Sequence, residues 1–474
     1  MTHTPIETDY LVIGAGAVGM AFVDSLLTSS PDASVVMVDR RHRPGGHWND
    51  AYPFVRLHQP ASYYGVNSRE LGQGTVDRVG LNRGFYDLAS GPEIVGYFDQ
   101  VMQQRFLPSG RVRFLPKSQV CESGEVESLL TGHRQTVQVR KKVVDATFSD
   151  MRIPSTTPPS YTVASGVRCV PLNDLVHLDR VQAGYVVVGA GKTSMDACLW
   201  LLAHGVDPEC IRWVRPRDGW MLNRANVQSG EAFFANTCGS LAQQLEAAAA
   251  ATDMPDLFKR LEACGELLRI DPQVQPTVYH GAILSEPELA ELRRIRNVVR
   301  MGHVKSISAS LIELDHGTIA LAAGELVVDC SAAGIPGRPA VPVWSAQRIT
   351  PQWVRSFGTV FSAALIAHIE ATFDDEDAKN ALCAPIVPPT LATDWLRMLV
   401  VSMGNGQRWN RHAQLQEWLA ASRLNRLFHT MTNVRPDESE KMALLGRYLK
   451  AIKPGVAGLQ QLMARAELTI KEPA

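Results

Sequence analysis

Paired cysteines are missing from this chain. Cys121, Cys169, Cys198, Cys210, Cys238, Cys264, Cys330 and Cys383 are scattered along 474 residues without a Cys-x-x-Cys spacing. A disulfide framework, a zinc ribbon and an adjacent redox dithiol are therefore not expected, whereas buried, inert thiols are. Excess charge is missing too: 47 Lys and Arg against 48 Asp and Glu leave a formal net charge of -1, with no basic block to attract nucleic acid. No uninterrupted apolar run approaches the roughly 18 to 20 residues that span a bilayer, so no membrane segment is expected. No His, Asp or Glu cluster has metal-ligand spacing and no Gly-x-Ser-x-Gly elbow occurs, so neither a metal site nor a serine nucleophile is expected. A first strand pattern that begins within about ten residues of Met1 leaves no room for a signal or transit peptide, and a cytoplasmic location is the default expectation. With 45% hydrophobic and 20% charged residues, the composition is that of a globular protein of two or three domains.

Two glycine fingerprints stand out. Gly14-Ala15-Gly16-Ala17-Val18-Gly19 follows the apolar run Tyr10-Leu11-Val12-Ile13, and Gly189-Ala190-Gly191-Lys192-Thr193-Ser194 follows Tyr185-Val186-Val187-Val188. Each opens a helical pattern, the context in which such glycines admit a pyrophosphate to the positive end of a helix. The next strands separate the two ligands. Val35-Val36-Met37-Val38 ends in Asp39, which can accept from a ribose 2'-hydroxyl and would repel a 2'-phosphate, so FAD or NAD is expected there. Ile211-Arg212-Trp213-Val214 ends in Arg215-Pro216-Arg217, whose guanidiniums match phosphate geometry and favour NADPH over NADH. A P-loop reading of Gly191-Lys192-Thr193 fails, because Val186 stands where the earlier glycine is required.

The expected fold is α/β, with two Rossmann-like dinucleotide-binding domains, a helical insertion and a helical C-terminal tail. Residues 1–182 plus 325–370 are expected to form the FAD domain and 183–324 the NADPH domain, with a helical insertion at about 236–300 and a helical region over 371–474. Ser90-Gly91-Pro92-Glu93 reads as the start of a helix reaching about Phe106. In the tail, Phe361 to Thr372, Asp394 to Met403, Gln414 to Phe428 and Ser439 to Ile452 carry helical spacing. The irregular stretch from Arg40 to Pro92 is too long and too rich in aromatic and polar residues for a passive linker.

These residues resemble the two-dinucleotide-binding flavoproteins, and within them the flavin-containing and N-hydroxylating monooxygenases. Gly14, Gly16, Gly19 and Asp39 match the FAD fingerprint, Gly45-Gly46-His47-Trp48 is similar to the Gly-Gly-x-Trp turn, and Tyr52-Pro53 with Arg56 resembles the flavin-side loop. Gly191 to Asp196 looks like the second fingerprint with Ser194 for its third glycine, and Val328-Asp329 is similar to the strand that returns to the FAD domain. Two departures stand beside the resemblance: Tyr161 to Leu178 lacks the Phe-x-Gly-x-x-x-His signature, and Phe148 replaces the glycine of an Ala-Thr-Gly turn.

The resemblance implies a flavin that is reduced by NADPH and passes one oxygen atom of O2 to a small nucleophilic substrate, such as an amine. Trp48, Tyr52, Arg56, His58 and Gln59 are the expected flavin-facing wall, with Arg56, His58 and Gln59 as catalytic candidates. Gly14, Gly16, Gly19, Asp39, Arg40, Gly46, His47, Trp48, Val120, Ala146 and Asp329 are the expected flavin-binding set; Gly189, Gly191, Lys192, Thr193, Ser194, Arg215 and Arg217 are the expected NADPH-binding set. Trp213 or Trp220 could stack on adenine, although packed-loop roles fit them equally. Two other readings stay open: an NADPH-dependent flavin reductase without oxygen insertion, and a flavin-bound redox sensor or assembly protein. The helical tail offers a surface for homodimerisation.

Overall fold

The computed structural model describes residues 5–149, 151–335, 337–426, 431–432 and 434–466. Two parallel sheets organise the chain. In the first, Arg348–Ile349, Val137–Asp145, Ile6–Ile13, Val35–Asp39 and Val112–Pro116 lie side by side, with Trp344–Ser345 antiparallel at the edge. In the second the order is Cys169–Pro171, Glu325–Asp329, Gly184–Val188, Ile211–Val214 and Val298–Val299, all parallel. Continuous apolar runs such as Val35–Val38 and Val186–Val188 suit strands covered on both faces, and these residues are buried.

The first sheet carries two helices on one face. Ala17–Ser29 and Thr359–Thr372 pack against each other, and both contribute to one apolar core with Tyr10, Val12, Val35 and Met37. The second of these helices buries Val360 to Ala367 without a break, the pattern of a helix enclosed on all sides. The start signal at Ser90 is a capping box: the Glu93 amide donates to Ser90 Oγ at 3.4 Å and the Ser90 amide donates to Glu93 Oε2 at 2.7 Å.

Three expectations are corrected. Glu325–Asp329 does not return to the first sheet; it lies between Cys169–Pro171 and Gly184–Val188 in the second, with Asp329 beside Val188. A strand buried on both faces pairs wherever two neighbours accept its register, which sequence order alone does not specify. The chain rejoins the first sheet only at Trp344–Ile349, while Thr162–Val163 and Cys169–Pro171 already pair with strands of the second half. The segment at 236–300 is not purely helical. Helices Phe234–Ala250, Met254–Ala263 and Glu286–Leu292 are interrupted by Leu267–Leu268 and Val278–Leu284, which flank Gly219–Asn223 in a three-stranded sheet. Val278, Tyr279 and Ile283 are β-branched or aromatic and favour a pleated, buried surface.

The C-terminal part is helical over Glu376–Leu382, Asp394–Trp409, Ala413–Ala421 and Ser439–Arg465. The helix expected to run from Gln414 to Phe428 ends instead at Ala421, where Ser422 turns to extended backbone, and residues 427–430 and 467–474 lie outside the described residues. The last helix packs closely on Phe234–Ala250. A Cβ on Gly458 would fall 2.1 Å from the Ala248 carbonyl oxygen, so the two backbones meet at glycine. Among the described residues no helix is long and apolar enough to cross a membrane.

Candidate functional site

Both glycine turns sit at the carboxyl ends of their parallel strands, where open α/β sheets bind ligands. In the first, Gly14 has φ +97°, and a Cβ on Gly19 would lie 2.0 Å from the Gly14 carbonyl oxygen. The Gly45-Gly46 turn closes over this one: the Gly45 amide donates to the Ala15 carbonyl at 2.9 Å, and a Cβ on Gly46 would sit 2.9 Å from the Gly16 Cα. Backbone thus meets backbone with no side chain between. The helix that follows has Gly16 as its N-cap and no side-chain cap, leaving its first amides for a ligand.

Asp39 is buried beside this turn. Its Oδ2 accepts the Ala15 amide at 2.7 Å and its Oδ1 the Arg41 amide at 2.7 Å, which orients the carboxylate while leaving lone pairs for ribose hydroxyls. Ala146 joins the cradle, donating its amide to Ile13 O at 3.0 Å. Trp48 Nε1 donates to the Tyr64 hydroxyl at 2.9 Å, and the His47 ring tilts against Trp48 at 5.0 Å. Burial, reinforced by the Arg41 guanidinium, pushes His47 down to about 4, so its ring is neutral near pH 7. Arg40 is exposed, next to Asp39. Val120 packs in the apolar layer with Leu11, Val36 and Val126.

The second turn repeats the scheme with less enclosure. Gly189 has φ +136° and a Cβ there would meet the Cys330 carbonyl oxygen at 2.4 Å, whereas a Cβ on Gly191 would meet nothing within 4 Å. Ser194 replaces the third glycine because its hydroxyl donates back to the Gly191 carbonyl at 2.8 Å. Thr193 is half-buried in the first turn of Lys192–Ala203, a helix again without a side-chain cap. Lys192 pairs with Asp196 one turn along. Asp329 accepts from the Tyr161 hydroxyl at 3.0 Å and from Ser331, so it braces the second sheet and is not part of the first cradle.

The two arginines of the second unit part company. Arg217 is exposed. Arg215 is 0% exposed, with its guanidinium 4.5 Å from the Trp213 ring centroid and 3.1 Å from Asp218, and burial lowers it to about 10. The expectation that Arg215 reads a phosphate directly is therefore corrected. Its partner Asp218 is also held by Arg300 at 2.9 Å. Trp213 is buried and donates to the Gly189 carbonyl at 2.8 Å, and Trp220 is buried against Phe258 at 5.6 Å, so neither is free to stack on adenine.

One loop bridges the two turns. His58 accepts the Ile283 amide on Nδ1 at 3.2 Å, so its neutral ring carries the proton on Nε2, and its carbonyl accepts from Arg224 Nε at 3.2 Å. Burial, helped by Lys192 and Arg224, pushes His58 down to about 3. Arg224 is itself fully buried and pairs with Glu288 at 2.8 Å. Gln59 is half-buried next to His58. Arg56 is exposed and donates to the Leu88 carbonyl at 3.0 Å, which places it on the outer side of the loop instead of the flavin-facing wall. Sequence reasoning did not assign Arg224 or Asp196 to the site. The four-residue spacing of Lys192 and Asp196 was the available signal for the second.

The fold and these turns define a protein with two Rossmann-like α/β units, each with a glycine turn after a parallel strand. The chain belongs to the same family as uncharacterized proteins of Mycobacterium tuberculosis and Mycobacterium bovis, to which it is 47% identical over 469 residues, covering 98% of this chain and 86% of each relative. A "Probable FAD-binding monooxygenase" of Acinetobacter is 30% identical over 102 residues, 21% of this chain and 18% of that protein. Among solved structures, the polycyclic ketone monooxygenase of Thermothelomyces thermophila aligns with TM-score 0.49 and 12% identity, covering 100% of this chain and 90% of that one. The NADP+-bound cyclohexanone monooxygenase of Rhodococcus aligns with TM-score 0.47 and 13% identity, covering 95% and 99%. No protein-family model matches the chain.

Proposed function

We propose that the protein is an FAD-dependent, NADPH-consuming monooxygenase that transfers one oxygen atom from O2 to a small nucleophilic substrate, an amine being the class implied by the family resemblance. One observation carries this reading: two glycine turns of dinucleotide-binding form, one with a carboxylate and one with an exposed guanidinium near its second strand, joined by a single loop. The residues at each turn suit their ligand. Gly14, Gly16, Gly19 and Gly46 leave a surface of bare backbone for a pyrophosphate, and Asp39 accepts from ribose. Gly189 and Gly191, the uncapped helix start and Arg217 suit a second dinucleotide with a 2'-phosphate.

Bound FAD would supply hydride acceptance and oxygen transfer, with NADPH as the hydride donor. The chain's own groups bind, orient and exclude water. Trp48 and Tyr64 close an apolar side of the first turn, while His58 and Arg224 hold the bridging loop against the second unit. His58 presents a neutral Nε2–H donor throughout the physiological range.

The test is anaerobic addition of NADPH to the flavin-loaded protein, followed by O2 and a panel of amines and thioethers. Bleaching of the flavin and an oxygenated product formed one-to-one with NADPH are expected. Stoichiometric H2O2 across the whole panel would overturn oxygen insertion and favour the reductase. Absence of flavin reduction by either NADPH or NADH would leave the sensor reading.

A further inference from the structure

The bridging loop meets the second glycine helix along one stripe. Lys192, Asp196 and Trp200 recur every fourth residue of Lys192–Ala203, with His204 at its C-cap, so the four share a helix face. On that face Asp196 has two partners. One carboxylate oxygen pairs with the Lys192 ammonium, and the other accepts the Tyr52 hydroxyl at 2.5 Å. A turn further, Phe54 stacks on Trp200 with centroids 5.0 Å apart and planes at 20°, and Tyr52 packs on Phe54 at 4.9 Å.

Each end of this chain of contacts lies at a dinucleotide element. Lys192 is the first residue of the helix, next to Gly191, around which the space is open. Tyr52 lies between Trp48, at the first glycine cradle, and His58, whose ring feels the Lys192 charge. An ammonium shared with a pyrophosphate neutralises Asp196 less completely. The carboxylate then depends more on its remaining charge-assisted donor, the Tyr52 hydroxyl.

We infer that Asp196 is a positioning residue, linking occupancy of the second glycine turn by a dinucleotide pyrophosphate to the placement of the Tyr52–His58 loop beside the first. The inference rests on the dinucleotide reading of the second turn. When phosphate draws Lys192, Asp196 tightens on Tyr52 and the loop is held against the helix through Phe54 and Trp200. The first unit thereby responds to a ligand bound at the second.

Hydrogen–deuterium exchange over residues 47–58, with and without NADP+, tests this in the wild-type holoprotein and in Tyr52→Phe and Asp196→Asn, alongside calorimetric NADP+ binding. In the wild type NADP+ is expected to slow exchange in that segment by about tenfold, the scale set by one charge-assisted hydrogen bond. Tyr52→Phe should bind NADP+ within about threefold of the wild type, since phosphate contacts at the turn are untouched, and lose the protection. Asp196→Asn, which also frees Lys192, should lose it as well. NADP+ binding with equal protection in wild type and Tyr52→Phe would overturn the coupling and leave the dinucleotide reading standing, as would binding with no change over 47–58. Failure of the wild type to bind NADP+ would overturn both.

Discussion

Gly16 and Gly46, thirty residues apart in sequence, touch backbone to backbone: a Cβ on Gly46 would lie 2.9 Å from the Cα of Gly16, and Gly46 holds φ +57°. Any side chain there must push the second turn off the first. Gly46→Ala is therefore expected to lower flavin content of the purified protein by about tenfold or more, from the combined strain and displaced contact. Gly19→Ala should be worse, because its Cβ would lie 2.0 Å from the Gly14 carbonyl oxygen. Flavin absorbance per mole of folded protein is the measurement, and a Gly46→Ala protein with full flavin would refute the cradle.

Asp39→Ala removes the acceptor of the Ala15 and Arg41 amides. Leaving the Ala15 amide unpaired in a buried turn costs about 1 to 3 kcal/mol. The apoprotein should melt lower and FAD should bind at least about tenfold more weakly. Calorimetry on the apoprotein separates the two effects, and unchanged FAD affinity would remove Asp39 from the site.

Arg215 and Arg217 should fail differently. Arg217→Ala is expected to raise the NADPH dissociation constant by about tenfold while leaving NADH within about twofold, because the lost contact is to the 2'-phosphate. Arg215→Ala should act mainly on stability, since it empties a buried place between Trp213 and Asp218. Equal loss of NADPH and NADH binding in Arg217→Ala would refute its phosphate role.

His47 and His58 make stability depend on acid. Both are held neutral, at about 4 and about 3, against 6.5 for an ordinary histidine. Below about pH 6.5 the unfolded chain takes up protons that the folded one refuses, so the stabilisation is fully present above that pH and is lost as pH falls toward the folded values. The loss amounts to at most about 1.4 kcal/mol per pH unit for each histidine. Thermal unfolding scanned from about pH 7 to about pH 5 should show a falling Tm, with a shallower slope in His58→Gln. An identical slope in that variant would exclude His58 as a contributor.

Gly458→Val should destabilise the contact between the last helix and Phe234–Ala250, because a Cβ at Gly458 falls 2.1 Å from the Ala248 carbonyl oxygen. A fall in Tm of several degrees, from an overpacking cost of about 1 to 3 kcal/mol, is expected by calorimetry. No change in Tm would mean that the two helices part without cost.

Much of the site was written locally. Gly14 and Gly189 follow from a positive φ, Gly19 from close approach to the Gly14 carbonyl, the strands before the turns from continuous apolar runs, and the Ser90–Glu93 cap from capping, all set by residues a few positions apart. Sequence therefore determined that there would be two glycine turns of this form and where they would start. Tertiary structure decided what depends on arrivals from elsewhere in the chain. Asp329 joined the second sheet because Val188 and Pro171 offered it a register, and Arg215 was enclosed between the Trp213 ring and Asp218. Arg56 turned outward to the Leu88 carbonyl, and Tyr52 found Asp196 across 144 positions. Burial and long-range pairing set those outcomes, and they come into being only when distant segments pack.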